Sequence, residues 1–355
     1  MHSVKVFSGI HRMSSVQMKI KRLLAVLCLS ALLLMQAACK PSSLGGTTFA
    51  QLQASATSGD RHAQFELGVR FATGEGVSKD PEKAVAWWRK AAEQGLPQAQ
   101  YNLGSACFRG DVVSRDHKEA LKWWLLAAKQ GDHDAEFAVG RCFWFGSGTA
   151  QDATAALNWI RKAAAADQPE AQVMLGLACQ AGRGVQADLV EAVRWFREAA
   201  KRGNAQGQYY LGECYRDGKG TATNAQEAVD YFQRAAENGF PRAQVALGNC
   251  YMKGTGTRQD LNRAMQWFRK AAEQGDPDGQ IRYGFFYLAG SGVEKDIIEV
   301  YKWFTLAESK DPDAARTAFE LLRRQETLTP GQIAEAKRRA KVFTETNQAA
   351  SSFSP

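Results

Sequence analysis

AQFELGVRFATGEGVSKDPEKAVAWWRKAAEQGLPQ, from Ala63 to Gln98, decides the fold, because the chain repeats it. Units of these 36 residues begin at Ala63, Ala99, Ala135, Ala171, Gly207, Ala243 and Gly279, with no insertion between them. A fixed period in this range marks stacked supersecondary units, each burying its apolar face on its neighbours, rather than one closed core. The copies align with one another, so recurrence is legible position by position. With Ala63 as position 1, glycine fills position 6 in every unit: Gly68, Gly104, Gly140, Gly176, Gly212, Gly248 and Gly284. Glycine fills position 12 as well, from Gly74 to Gly290, and Trp or Tyr fills position 25, from Trp87 to Trp303. A second bulky apolar residue follows at position 26, such as Trp88, Ile160 or Phe268.

Local physics predicts helix, loop, helix. At about 100° per residue, positions 1, 5, 8, 9 and 12 share one face, and they are mostly Ala, Leu, Cys and aromatic. Glycine inside a helix costs about 1 kcal/mol against alanine, so its recurrence at position 6 predicts a close approach by a neighbouring helix. The glycine at position 12 predicts a left-handed helix cap. Asp or Asn at position 18 (Asp80, Asp116, Asp152, Asp188, Asn224, Asp260, Asp296) predicts the N-cap of the second helix. Glu119 and Glu191, three residues after Asp116 and Asp188, predict capping boxes.

The pattern A-x-x-x-L-G-x-x-Y-x-x-G-x-G-V, followed by D-x-x-K-A-x-x-W-x-x-K-A-A-E-Q-G, resembles the Sel1-like repeat. The resemblance covers residues 63–314 and implies an all-α, right-handed α/α superhelical solenoid similar to tetratricopeptide arrays. It implies a protein-binding adaptor without catalytic residues of its own. Two departures stand out: Asp167 replaces the closing glycine of unit three, and Val112 replaces the loop glycine of unit two. The expected organisation is a signal peptide over 1–38, a linker over 39–47, a capping half-repeat over 48–62, repeats over 63–314, capping helices over 315–346 and a disordered tail over 347–355. Thr329 with Gln332 predicts a fresh helix start with its own capping box. That last helix carries Lys337, Arg338, Arg339 and Lys341, read as the solvated face of a cap or an anionic-surface contact.

Lys19, Lys21 and Arg22 precede a 13-residue apolar run, Leu23 to Met35, too short to span a bilayer as a helix and suited to a signal-peptide core. The run ends at Gln36-Ala37-Ala38-Cys39. Small residues before a cysteine resemble the bacterial lipoprotein signal, which implies lipidation of Cys39, with Gln36 standing where Leu is usual. Ordinary cleavage nearby or an uncleaved anchor is the competing reading, and the start lies at Met1, Met13 or Met18. Lys40 lacks the acidic residue that retains such lipoproteins in the inner membrane, so the resemblance favours an outer-membrane anchor facing the periplasm. The net charge of +8 includes five basic residues and no acid before Cys39. The remainder is nearly balanced and its charges are intermixed, which supplies no nucleic-acid footprint.

Five cysteines follow Cys39: Cys107, Cys142, Cys179, Cys214 and Cys250, at position 8 or 9 of units two to six. Neighbouring helices sit about 8–10 Å apart, while a disulfide needs Cα atoms within about 7 Å, so buried free thiols are expected. His62, His117 and His133 form no metal spacing, and no nucleophile elbow or dinucleotide fingerprint is present. The expectation is no catalytic residue, no metal and no cofactor.

Positions 3, 7 and 10 of the first helix are expected to point away from the core face. Tyr101, Phe108, Phe137, Arg141, Trp144 and Phe145 form the richest such cluster, and aromatic residues with arginine are typical interface anchors. The competing reading is packing of unit two on unit three. Three functions follow: an envelope adaptor binding a protein partner on the concave face, an immunity protein blocking a periplasmic toxin such as a secreted phospholipase, or a peptidoglycan-binding module.

Overall fold

The computed structural model describes residues 48–352. The signal segment, Cys39 and the linker lie outside the described residues, as do residues 353–355. Among the described residues the chain is all helix. After α1 (Phe49–Thr57), seven pairs follow, one pair per unit: α2 (Arg61–Thr73) with α3 (Pro81–Glu93), α4 (Pro97–Arg109) with α5 (His117–Ala128), α6 (His133–Phe145) with α7 (Ala153–Ala165), α8 (Pro169–Ala181) with α9 (Leu189–Lys201), α10 (Ala205–Asp217) with α11 (Ala225–Glu237), α12 (Pro241–Lys253) with α13 (Leu261–Glu273), and α14 (Pro277–Ala289) with α15 (Ile297–Glu308). The last two are α16 (Pro312–Gln325) and α17 (Pro330–Ser352). Two compact bodies result: one holds the residues up to Ala171 with Arg183–Val185, the other Gln172–Gly182 with the residues from Gln186 onward. Within each body consecutive helices pack on one another, as the units of a solenoid do.

The position-6 glycine does what its cost predicts. A Cβ placed on it would lie 2.5–2.8 Å from the position-26 side chain of the same unit, as for Gly68 on Trp88, Gly140 on Ile160 and Gly212 on Phe232. No real Cβ tolerates that distance. The close approach is therefore made inside each unit, by a buried side chain of the second helix seated where the first helix has no side chain. Phe196, Phe232, Phe268 and Phe304 are fully buried in this seat. Position 25 stays half-buried on the second helix in units one to six and is buried at Trp303, with a cation over the ring in units such as the first and sixth: Lys90 over Trp87 at 4.1 Å and Lys270 over Trp267 at 3.9 Å.

The cap residues hold the pair together. Asp80, Asp116, Asp152, Asp188, Asn224 and Asp260 each accept first-turn amides with the side chain and donate the backbone N–H to the position-9 carbonyl of the first helix, at 2.8–2.9 Å. This corrects the capping boxes expected at Asp116 and Asp188. Their cap amides are already taken by Cys107 and Cys179, so Glu119 and Glu191 accept instead from the indole N–H of Trp123 and Trp195, at 3.2 Å each. The box at Thr329 and Gln332 is made as expected, and a matching one at Thr48 and Gln51 starts α1.

Neighbouring units are tied by buried glutamines at position 2. Gln64, Gln100, Gln244 and Gln280 donate their side-chain amides to the carbonyls of Ala56, Ala92, Ala236 and Ala272, one helix back, at 3.1–3.3 Å. Gln94, Gln130 and Gln274 then donate to the Oε1 of Gln64, Gln100 and Gln244 at 2.8–2.9 Å. Unit three breaks the series. Glu136 fills the seat, 5% exposed, with His133 Nδ1 2.8 Å from Oε2, and a glutamate side chain has no amide N–H for the Ala128 carbonyl. Asp167 keeps the left-handed turn of the glycine it replaces, at φ 68°.

In units three to six the loop glycine lies against the position-19 carbonyl of the unit before, as for Gly148 on His117 and Gly220 on Leu189. Val112 has a side chain in the way of this seating; it is 36% exposed and borders an open groove with Val85, Ala86, Lys90 and Glu93. The five cysteines are buried thiols outside any disulfide, as expected. Burial pushes the thiols of Cys107, Cys142 and Cys214 up to about 11, 12 and 11, which leaves them without thiolate character near neutrality.

At the C-terminus α17 continues to Ser352, beyond the capping region expected to end at residue 346 and into the stretch expected to be disordered. Nothing between Thr344 and Ser352 is Gly or Pro, and Ala349 and Ala350 favour helix. Its two arginines are engaged: Arg338 and Arg339 pair with Glu335, and Arg339 reaches Glu299 at 3.0 Å.

Two variants test this account. Gly212→Ala gains about 1 kcal/mol of helix propensity but must displace the Phe232 ring at a cost of about 1–3 kcal/mol, so thermal melts show no gain or a net loss, and Gly212→Ala/Phe232→Leu is less destabilised than the two single variants summed. Glu136→Gln restores the missing donor and stabilises by about 1 kcal/mol, read as a higher denaturant midpoint at unchanged slope.

Candidate functional site

Within each body a first helix is gripped by the second helix of its own unit and by the second helix of the unit before, and α14 also packs on the adjacent first helix α12. The buried arc therefore covers most of its circumference. Positions 1, 2, 5 and 6 are buried in every unit, and position 3 in units three to seven. What remains open is one narrow stripe: the residue just before position 1, then positions 7 and 11, joined by position 4 only at Glu66, Ala138 and Arg282, all spaced as one helix face. Its openness is uneven, with both ends the most exposed and position 7 half-buried in most units.

The six residues singled out from the sequence divide between stripe and interior. Arg141 and Phe145, at positions 7 and 11 of unit three, lie on the stripe and are half-buried. The other four, at positions 3 and 10, sit about 80° round the helix and pack inward. Trp144 is 3% exposed, with the Arg183 guanidinium 4.1 Å from its ring and its carbonyl accepting from Gln151 and Arg183 at 2.6 and 3.1 Å. Phe137 is buried beneath Arg141, 5.8 Å away. Phe108 stacks on His117 at 4.6 Å and leans on Trp124 at 5.3 Å. Tyr101 is half-buried against the core of the first body, and burial pushes its phenol up to about 12. At Phe137 and Trp144 the expectation of an outward-facing side chain is thus corrected, while Tyr101 and Phe108 are half-buried and position 10 stays exposed at Arg216. The sequence reading placed the core on one side of the helix only, whereas packing on more than one side buries Phe137 and Trp144.

The stripe is where the units differ. In the first body it carries His62, Glu66 and Thr73 on α2, Gln98, Ser105 and Arg109 on α4, and Asp134, Arg141 and Phe145 on α6. In the second it carries Gln206, Glu213 and Asp217 on α10, Arg242, Asn249 and Lys253 on α12, and Asp278 and Arg282 on α14. One part is already self-paired: Arg216 bonds Glu213 at 2.8 Å and Asp217 at 2.7 Å, and Lys219 bonds Asp217 at 2.6 Å. Burial works to raise the Asp217 carboxyl, but the hydrogen bonds from Arg216 and Lys219 outweigh it and hold the group near about 2. The position-2 glutamines escaped the sequence reading, although one polar side-chain shape recurring in unit after unit was a signal available there. Among the described residues no group of His, Cys, Asp and Glu could hold a metal ion, and no helix is long and apolar enough to cross a membrane.

A frame repeated at fixed spacing, with one varied stripe along its first helices, defines a helical repeat scaffold. The chain belongs to the Sel1 repeat family, with consecutive matches over residues 61–96, 97–132, 133–168, 169–204, 205–240, 241–276 and 277–312. A Sel1 repeat protein from Oxalobacter formigenes is similar in structure, with a TM-score of 0.64 and 34% identity over 77% of this chain and 80% of that one. The protective antigen c5321 of uropathogenic Escherichia coli, which displays an SLR fold, matches with a TM-score of 0.39 and 26% identity over 83% and 86%. The immunity protein Pa5087 of Pseudomonas aeruginosa matches with a TM-score of 0.41 and 17% identity over 62% and 83%. No curated protein matches the chain. The Sel1 repeat fold is typically a protein-binding one.

Packing and stripe residues separate in stability. Trp144→Ala loses about 3–5 kcal/mol in denaturant unfolding, whereas Arg141→Gln stays within about 1 kcal/mol of the parent.

Proposed function

We propose that the chain is a non-catalytic scaffold that holds a protein partner along the stripe of its first helices, and that a lipid on Cys39 tethers it in the bacterial envelope, facing the periplasm. One observation carries the first part: the frame repeats while the stripe varies. Residues that serve only packing are held to one size and polarity by their neighbours. Glu66, Ser105, Arg141, Glu213 and Arg282 share neither, although they hold stripe positions on equivalent helices. Varied chemistry on a rigid frame is how a repeat protein acquires specificity for one partner. The tether rests on the sequence before residue 40: basic residues, a short apolar core and Ala37-Ala38-Cys39. The outer membrane is the leaflet that Lys40 favours.

Site-specific photocrosslinking in the parent bacterium tests the reading. A photoreactive residue at Phe145 is expected to trap one discrete protein, while the same residue at Leu126, 38% exposed on α5, traps none. A partner trapped from Leu126 and not from Phe145 moves the interface off the stripe and overturns the proposal. The identity of the trapped protein separates an adaptor from an inhibitor: a toxin whose activity falls on binding makes the chain an immunity protein. Retention on isolated murein, with no protein trapped, selects the glycan reading. In the same cells Cys39→Ala is expected to shift the chain from the membrane to the soluble fraction and to abolish labelling by a palmitate analogue; unchanged labelling overturns the tether.

A further inference from the structure

In the second body, α14 places a charge in a slot that α10 fills with a ring. Position 4 of α10 is Tyr210, stacked on Phe196 with ring centroids 5.2 Å apart. Position 4 of α14 is Arg282, whose guanidinium carbon lies 5.6 Å from the Phe268 ring. Burial of this group is deep enough to depress its pKa below the usual arginine value, with Asp278 and Asp276 opposing the shift. The Nε–H of Arg282 is buried and meets no acceptor. Arginine remains charged at any physiological pH, and a buried guanidinium with an unmet donor is costly unless something fills the gap.

A second unmet group lies on the matching face of the adjacent first helix. Asn249, at position 7 of α12, is half-buried, and its Oδ1 has no donor. The two helices pack side by side. Arg242 begins the same stripe of α12; burial opposes its charge, but Tyr209, Tyr210, Glu213 and Asp276 outweigh that and keep it ionised. The protein thus presents a guanidinium with an unmet donor, in the field of Asp278 and Asp276, an acceptor lacking a donor, and a further cation on the same stripe. A peptide bearing an acidic residue carries the complement of each orphan, a carboxylate for Arg282 and a backbone N–H for Asn249.

We propose that the stripe of α12 and α14 is a binding site for an acidic peptide segment of the partner, with Arg282 taking a carboxylate and Asn249 accepting a backbone N–H. The site rests on the reading of the first-helix stripe as the partner-binding face. An arginine guanidinium matches a carboxylate through two parallel N–H donors, and desolvation behind Arg282 strengthens the pair. The Phe268 ring below supports the guanidinium plane and excludes water from that side. A site with both unmet groups is also less stable when empty than a neutral one, a cost functional sites commonly carry.

That last property supplies a test that a structural arginine would fail. The probe is a fluorescein-labelled (Ala-Glu)4 peptide, compared with (Ala-Gln)4, on the full chain, followed by anisotropy. The expected result is binding of the glutamate peptide alone, weakened at least tenfold by Arg282→Met and several-fold by Asn249→Ala, and unchanged by Arg141→Gln in the first body. Arg282→Met is expected to melt at or above the parent temperature, because a buried charge with an unmet donor is replaced by an apolar chain of similar length. A lower melting temperature for Arg282→Met makes the residue structural and overturns the proposal. So does equal binding by the parent and Arg282→Met, the absence of any binding to (Ala-Glu)4, or displacement of the peptide by inorganic phosphate at equal concentration. None of these outcomes bears on crosslinking from Phe145, which lies in the other body, so failure here is distinguishable from failure of the stripe as a whole.

Discussion

A missing Cβ sets the distance between the two helices of every unit. With glycine at position 6, the side chain at position 26 reaches the backbone of the first helix and is sealed there, as Phe232 is on Gly212. The other contacts of the unit depend on that separation. Only at that separation does the cap amide of the second helix fall within reach of the position-9 carbonyl, as Asp80 does on Phe71 at 2.8 Å. The helix propensity forfeited by glycine is offset by burial of a whole Phe or Trp, worth about 1.5–3 kcal/mol for a side chain of that kind.

Packing on several sides has a functional result. A helix touched on one side leaves half its residues free to vary, whereas these first helices leave a single stripe. Chemistry is confined to that stripe because an altered side chain elsewhere collides with a neighbour or loses one. The glutamine series adds a polar constraint to the apolar one: a buried amide must find both a carbonyl and a donor, so position 2 tolerates almost nothing else. Glu136 is the exception, and His133 stands beside it as its partner.

Much of the fold was legible because the chain supplies its own alignment. The helix pairs, the left-handed glycines, the caps at position 18 and the C-terminal box at Thr329 each follow from local chemistry that repeats. What was not legible depends on partners distant in sequence. Trp144 and Phe108 read as exposed anchors because periodicity reports where one apolar face lies and not how many neighbours a helix has. The cap amide of Asp116 has two candidate acceptors, Glu119 and the Cys107 carbonyl, and only the tertiary arrangement selects the second. Arg282 carried no signal at all. A basic residue at one position of one repeat is unremarked until the ring beneath it and the absent acceptor are seen.

The contacts that define a unit and its neighbours all fall at fixed offsets within one uninterrupted period of 36 residues. Genetic exchange between copies follows from this. An in-frame deletion or duplication of one period rejoins every glycine to its aromatic side chain and every glutamine to its carbonyl. The hydrophobic interior is blind to the event. The order of the stripe residues changes at once, because chemistries from units formerly apart become adjacent. Recombination therefore remodels recognition by whole modules, while point substitution tunes single positions, and the two routes are separable because the frame and the stripe share no residues.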